Sequence, residues 1–77
     1  MKLNKKHLKI LELLSGGEEW YGLDLIAASN GILRRGVVYI SLRQLEEGGL
    51  IESRLEPKPV RGTPRRLYRL AEILREV

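Results

Sequence analysis

A mostly α domain closed by a β-hairpin, an α+β arrangement of three helices and a two-stranded hairpin, is what the 77-residue sequence predicts. Three observations carry this expectation. Apolar residues recur at helical spacing in three successive stretches before Gly49, the period then changes to two, and a proline-bounded basic loop separates two alternating runs.

The first helix is expected to start at Asn4, whose side chain suits an N-cap, and to bury Leu8, Leu11 and Leu14 with Ile10 widening the stripe. Ser15-Gly16-Gly17 ends it. Lys5, Lys6 and Lys9 lie off the stripe and read as a solvated face. Next comes Glu18-Glu19-Trp20-Tyr21-Gly22, where Trp20 is assigned to core packing or a short strand, with base stacking as the alternative. Gly22 reads as a point of close backbone approach. Leu23, Ile26 and Ala27 then mark a short second helix, stopped at Asn30-Gly31. Ile32 or Leu33 is expected to plug the core from the connection that follows.

The third helix is the element the rest serves. Val38, Leu42 and Leu45 fall at i, i+4 and i+7, so one narrow stripe is buried while Val37, Ile40, Arg43, Gln44 and Glu47 turn outward. Gly49 suits a left-handed stop, and Leu50 suits packing back onto the last turn. Arg34 and Arg35 precede the helix, and with its dipole they make that end attractive to phosphate.

After Gly49, Ile51, Ser53 and Leu55 alternate with Glu52, Arg54 and Glu56, the pattern of a half-buried strand. A second run alternates Arg66, Tyr68 and Leu70 against Arg65, Leu67 and Arg69. Pro57-Lys-Pro-Val-Arg-Gly-Thr-Pro64 between them forbids continued pairing and forms a basic tip. Residues 71–77 have helical composition but too few residues for a stable free helix, so they pack onto the domain or meet a second chain.

Composition excludes several function classes. There is no cysteine, so neither a disulfide framework nor a thiolate metal site is expected, and a lone His7 builds no metal site. No nucleophile or acid–base pair assembles at plausible spacing, so no enzyme and no cofactor are expected. No apolar run approaches the roughly 20 residues of a membrane span, which gives the expectation of a soluble cytoplasmic protein. The formal net charge is +4. From 34 to 69 the basic residues Arg34, Arg35, Arg43, Arg54, Lys58, Arg61, Arg65, Arg66 and Arg69 face only Glu46, Glu47, Glu52 and Glu56. The excess falls on the elements expected against nucleic acid.

Three helices, a basic hairpin and this order of elements describe a winged helix-turn-helix. Exact strings narrow it. Tyr21-Gly22-Leu-Asp-Leu25, Gly36-Val-Val-Tyr39-Ile-Ser-Leu42-Arg43-Gln-Leu45-Glu46-Glu47-Gly-Gly49-Leu50-Ile51 and Gly62-Thr-Pro64-Arg65-Arg66-Leu-Tyr68-Arg69-Leu70 resemble, in order and spacing, the motifs of the PadR-like transcriptional regulators. The resemblance covers about Leu8 to Glu72.

It implies a regulator of double-stranded DNA, usually a repressor, with the third helix in the major groove and the wing along the backbone or minor groove. It also implies that Tyr39 lies on the DNA side, that Arg65 and Arg66 are the basic pair of the returning strand, and that Tyr68 and Leu70 pack the sheet. The expected DNA-contacting set is Arg34, Arg35, Val37, Tyr39, Ile40, Arg43, Gln44, Lys58, Arg61, Thr63, Arg65 and Arg66. Within it, Gln44 matches adenine and Arg43 guanine, while Val37 and Ile40 match thymine methyls. This chain departs from the family pattern with Val37 in place of Thr and Ile40 in place of Pro. Family members continue into a C-terminal helical region, so ligand sensing through that region is not carried over. A homodimer through the first helix and the tail is the expected assembly, and a winged-helix protein-interaction module is the alternative reading.

Overall fold

The computed structural model describes residues 2–56 and 64–75. Its elements run α1 (Lys5–Leu14), β1 (Trp20–Tyr21), α2 (Gly22–Ala28), α3 (Arg35–Glu47), β2 (Ile51–Leu55), β3 (Arg66–Leu70) and α4 (Glu72–Arg75). The α+β class is as expected, with one strand more than the predicted hairpin. The sheet is antiparallel in the order β1-β3-β2. Trp20 pairs with Tyr68 and Tyr21 with Leu67, while β2 and β3 run in register from Ile51↔Leu70 to Leu55↔Arg66.

α1 begins in a capping box. The Asn4 side chain accepts from the His7 backbone N–H at 2.9 Å, and the Asn4 N–H donates to His7 Nδ1 at 3.1 Å. The buried stripe is His7, Ile10 and Leu14, and Leu11 and Leu13 pack partly against the core. The predicted stripe through Leu8 is therefore displaced by about one residue, and Leu8 is exposed. The reason is His7. Its ring is satisfied at both nitrogens, so it is buried at little polar cost and carries the helix's inner face with it.

α2 also buries a neighbour of the predicted residues. Leu25 is fully buried, Ile26 is half-buried, and Leu23 and Ala27 are exposed. Asn30 (φ 54) and Gly31 (φ 85) take left-handed backbone and turn the chain, and Leu33 enters the core from the connection. Ser29 stabilises that turn, donating to the Ile26 carbonyl at 2.8 Å and accepting from the Leu33 N–H at 3.0 Å.

α3 buries Val38, Ser41, Leu42 and Leu45. It stops as predicted: Gly49 (φ 77) donates to the Glu46 carbonyl and Leu50 to the Leu45 carbonyl, both at 3.0 Å, the two bonds of a Schellman motif. Along β2 burial falls from Ile51 to Leu55, which is 53% exposed. In β3, Tyr68 and Leu70 are buried as expected. The helices and the inner sheet face enclose one cluster of Ile10, Leu14, Leu25, Leu33, Val38, Leu42, Leu45, Ile51, Tyr68 and Leu70. Among the described residues no helix is long and apolar enough to cross a membrane.

Candidate nucleic-acid interface

α3 docks by one stripe, and the opposite stripe, Gly36, Ile40, Arg43 and Glu47, is exposed along its length. Its first turn contains no acidic residue. Arg34, the N-cap, and Arg35, the first helical residue, add two full charges to the positive end of the dipole. Among the described residues, no side-chain hydrogen bond or ion pair engages Arg34, Arg35 or Arg43. These three guanidiniums are exposed and uncommitted. The polarity of the helix is clear, with Arg34 and Arg35 at its start and Glu46 and Glu47 at its end.

Tyr39 projects to one side of that stripe and lies over the start of α2. A Cβ on Gly22 would stand 2.8 Å from Tyr39 Cε1 and 2.9 Å from its hydroxyl. The missing side chain at 22 is therefore what seats the ring, and the predicted close approach is of a side chain rather than of backbone. Tyr39 remains 48% exposed. Together with Tyr21, Arg65 and Arg66 it lines an open concavity of about 240 Å³ between α2, α3 and the base of the hairpin. The structure thus brings together three of the predicted residues, Tyr39, Arg65 and Arg66.

The two hairpin arginines differ from those of α3 in having partners. The Arg65 guanidinium lies 4.0 Å from the centroid of the Tyr21 ring, and its Nε is 3.6 Å from Glu56 Oε2. The Tyr21 hydroxyl donates to the other oxygen of Glu56. That bond, with the nearby Arg65 charge, holds the Glu56 carboxyl below its usual range, and the same bond to Glu56, with burial, pushes the Tyr21 phenol up. Arg66 donates to Ser53 Oγ at 3.0 Å, and Ser53 donates to Glu46 at 2.8 Å. Lys58, Arg61 and Thr63, predicted at the tip, lie outside the described residues.

Val37 is half-buried and Ile40 is 48% exposed. Gln44 is exposed but turned toward α1. Because His7 Nδ1 accepts from the Asn4 N–H, the ring proton sits on Nε2, which donates to Gln44 Oε1 at 2.8 Å. Sequence reasoning missed this tie. The only trace of it in the sequence is the Asn4-x-x-His7 spacing, a capping box with histidine in the usual place of glutamate or glutamine.

A family model described as the transcriptional regulator PadR-like family matches residues 10–76. Among solved structures, the chain is similar to the circadian clock associated protein Pex from anabaena, with 28% identity and a TM-score of 0.72 over 92% of this chain and 65% of that one. It is similar to a PadR family transcriptional regulator from Eggerthella lenta DSM 2243, with 32% identity and a TM-score of 0.63 over 90% of this chain and 61% of that one. A PadR family transcription regulator from hypervirulent Clostridium difficile R20291 shares the fold at 21% identity, with a TM-score of 0.77 over 95% of this chain and 78% of that one. A comparison with curated proteins finds no match.

Proposed function

The chain belongs to the PadR-like family of transcriptional regulators, and from that premise we propose that it is a sequence-specific double-stranded DNA-binding repressor acting in the cytoplasm. α3 enters the major groove, N-terminus first, and the hairpin lies along the backbone. The observation that carries this reading is the exposed face of α3, where Arg34 and Arg35 flank an uncapped positive helix end and Arg43 stands farther along the exposed stripe, all without internal partners among the described residues. A B-DNA major groove, about 12 Å wide, admits such a helix. Phosphates are the natural ligands of the flanking arginines. Arg65 and Arg66, with Lys58, Arg61 and Thr63 of the loop, extend the contact along the duplex.

One copy offers a footprint of about 600–1,000 Å² of protein surface, typical of a single module. We place a two-fold mate against α1 and residues 71–77, where Leu8 is 55% and Ile73 is 72% exposed. A monomer mass that stays constant in sedimentation from micromolar concentration upward counts against this pairing.

The deciding experiment is fluorescence anisotropy of a labelled duplex pool over a salt series, with single-stranded competitor. Each neutralised phosphate contributes about −0.9 to the log–log slope, so a slope of about −4 to −6 is expected. Replacing Arg34 and Arg35 by alanine makes the slope shallower by up to about 2. A slope near zero, or no duplex binding at micromolar protein, overturns the reading and favours an acidic protein partner for the same surface.

A further inference from the structure

The exposed stripe of α3 offers very little to a base edge. Gly36 has open space where a Cβ would stand, so the backbone there can come close to a neighbour. Ile40, one turn on, is 48% exposed. Gln44, the residue whose amide matches adenine, has its oxygen engaged by His7 at 2.8 Å. The two-point grip on adenine needs that oxygen as acceptor and the amide nitrogen as donor. Before Glu47 at its far end, the stripe presents outward one branched aliphatic side chain and, three residues later, one guanidinium uncommitted among the described residues.

Resting on the DNA reading above, we propose that Ile40 reads a thymine methyl and Arg43 a guanine on a neighbouring base pair, while Gln44 is a tie between α1 and α3 rather than a reader. The spacing fits. Three residues advance about 4.5 Å along a helix, little more than the 3.4 Å step between bases. The chemistry fits too. Thymine's C5 methyl is the apolar group that a base pair presents in the major groove, and guanine's N7 and O6 match two guanidinium donors. An exposed isoleucine on the same stripe as Arg43 has no part in the apolar core of the described residues, and in the groove the thymine methyl is its apolar counterpart. Glu47, at the far end of the stripe, repels phosphate and keeps the C-terminal end of the helix out of the groove.

The test uses the whole chain and starts from a duplex pool with no fixed operator. A randomised pool is enriched on the protein, and the enriched duplex is compared by anisotropy with a copy carrying deoxyuridine for thymidine and another carrying 7-deazaguanine for guanine. The deoxyuridine copy is expected to bind about fourfold more weakly per methyl contacted. Ile40→Ala should bind the thymidine and deoxyuridine duplexes alike, and Ile40→Val should restore part of the difference. Arg43→Ala should lose the preference for guanine over 7-deazaguanine, whereas Gln44→Ala should leave both preferences in place.

Because Ile40 lies on the surface, Ile40→Ala should melt with the parent and keep its salt slope, which separates loss of reading from loss of folding or of phosphate contacts. Equal binding of the thymidine and deoxyuridine duplexes by the parent, or discrimination that survives in Ile40→Ala, overturns the proposal while leaving a salt-dependent DNA-binding protein. Failure to enrich or bind any duplex overturns the DNA reading and the proposal together.

Discussion

Gly22 and Tyr39 form the tightest dependence between single residues at the interface. A methyl group at 22 lands within 3.0 Å of three atoms of the Tyr39 side chain, two of the ring and the hydroxyl oxygen. The ring is half-exposed and swings away at small cost, and alanine is the better helix former by roughly 0.5–1 kcal/mol. Gly22→Ala is therefore expected to leave the melting temperature within a few degrees of the parent while lowering duplex affinity about tenfold. That factor is about 1.4 kcal/mol, the scale of one charge-assisted hydrogen bond. In a Tyr39→Ala background the same change should have no further effect on affinity, and a double-mutant cycle by anisotropy and thermal melting measures both quantities. The arginines divide by the same kind of local reasoning. Arg65 already faces Glu56 and Tyr21, whereas no described partner offsets Arg34 or Arg35, so Arg65 must share its charge when a phosphate arrives.

At the scale of the element, α1 is held at its start by a box that doubles as a link to α3. Asn4→Ala removes the acceptor for the His7 N–H and is expected to cost about 1 kcal/mol, a fall of roughly 4–8 °C in a domain this small. His7→Ala should cost more, since it removes the other half of the box, the bond to Gln44 and a buried ring; differential scanning calorimetry of the two variants ranks them. These elements also show what a sequence can disclose. α3 is legible to its ends because Val38, Leu42 and Leu45 define one unambiguous stripe and Gly49 a stop that side-chain chemistry alone dictates. α1 is legible only as a helix: Leu8, Ile10, Leu11, Leu13 and Leu14 spread over several faces, and the residue that settles which face turns inward is a histidine. Its burial depends on a partner 37 residues away. β1 is two residues long, too short for any period to appear, and only β3 makes it a strand. The basic stretches of the interface were readable as charge, but the pairing of Arg65 and Arg66 was not, because it depends on which side chains the hairpin register sets opposite each other.

Across the whole molecule, two clusters bind the segment before α2 to the hairpin. Arg54 grips both oxygens of Glu19, at 2.6 and 2.8 Å, and Tyr21 meets Glu56. The bond from Arg54 holds the Glu19 carboxyl below its usual range, and the bond from Tyr21 does the same for Glu56. In both cases the unfolded chain binds the proton more readily than the folded one. The stabilisation is therefore complete above the ordinary glutamate value of roughly 4.3 and is lost as pH falls through the lowered folded-state values. Glu19→Gln and Glu56→Gln are each expected to flatten the acid limb of stability against pH below about 4.5, and urea melts from pH 7 to pH 3 measure it. Both clusters lie near the surface, so added salt should weaken the effect.

The order of the sheet has a consequence for synthesis. β3, the central strand, is the last of the three to leave the ribosome, and β1 and β2 pair only with it. Until residues 66–70 emerge, Trp20 and Ile51 belong to strands without a neighbour, and the inner sheet face against which α1 and α3 pack does not exist. At about 5–20 residues per second, that is an interval of seconds in which α1, α2 and α3 of a nascent chain are complete in sequence and incomplete in structure. A chain cut short before Arg66 thus loses the wall behind its helices along with its wing.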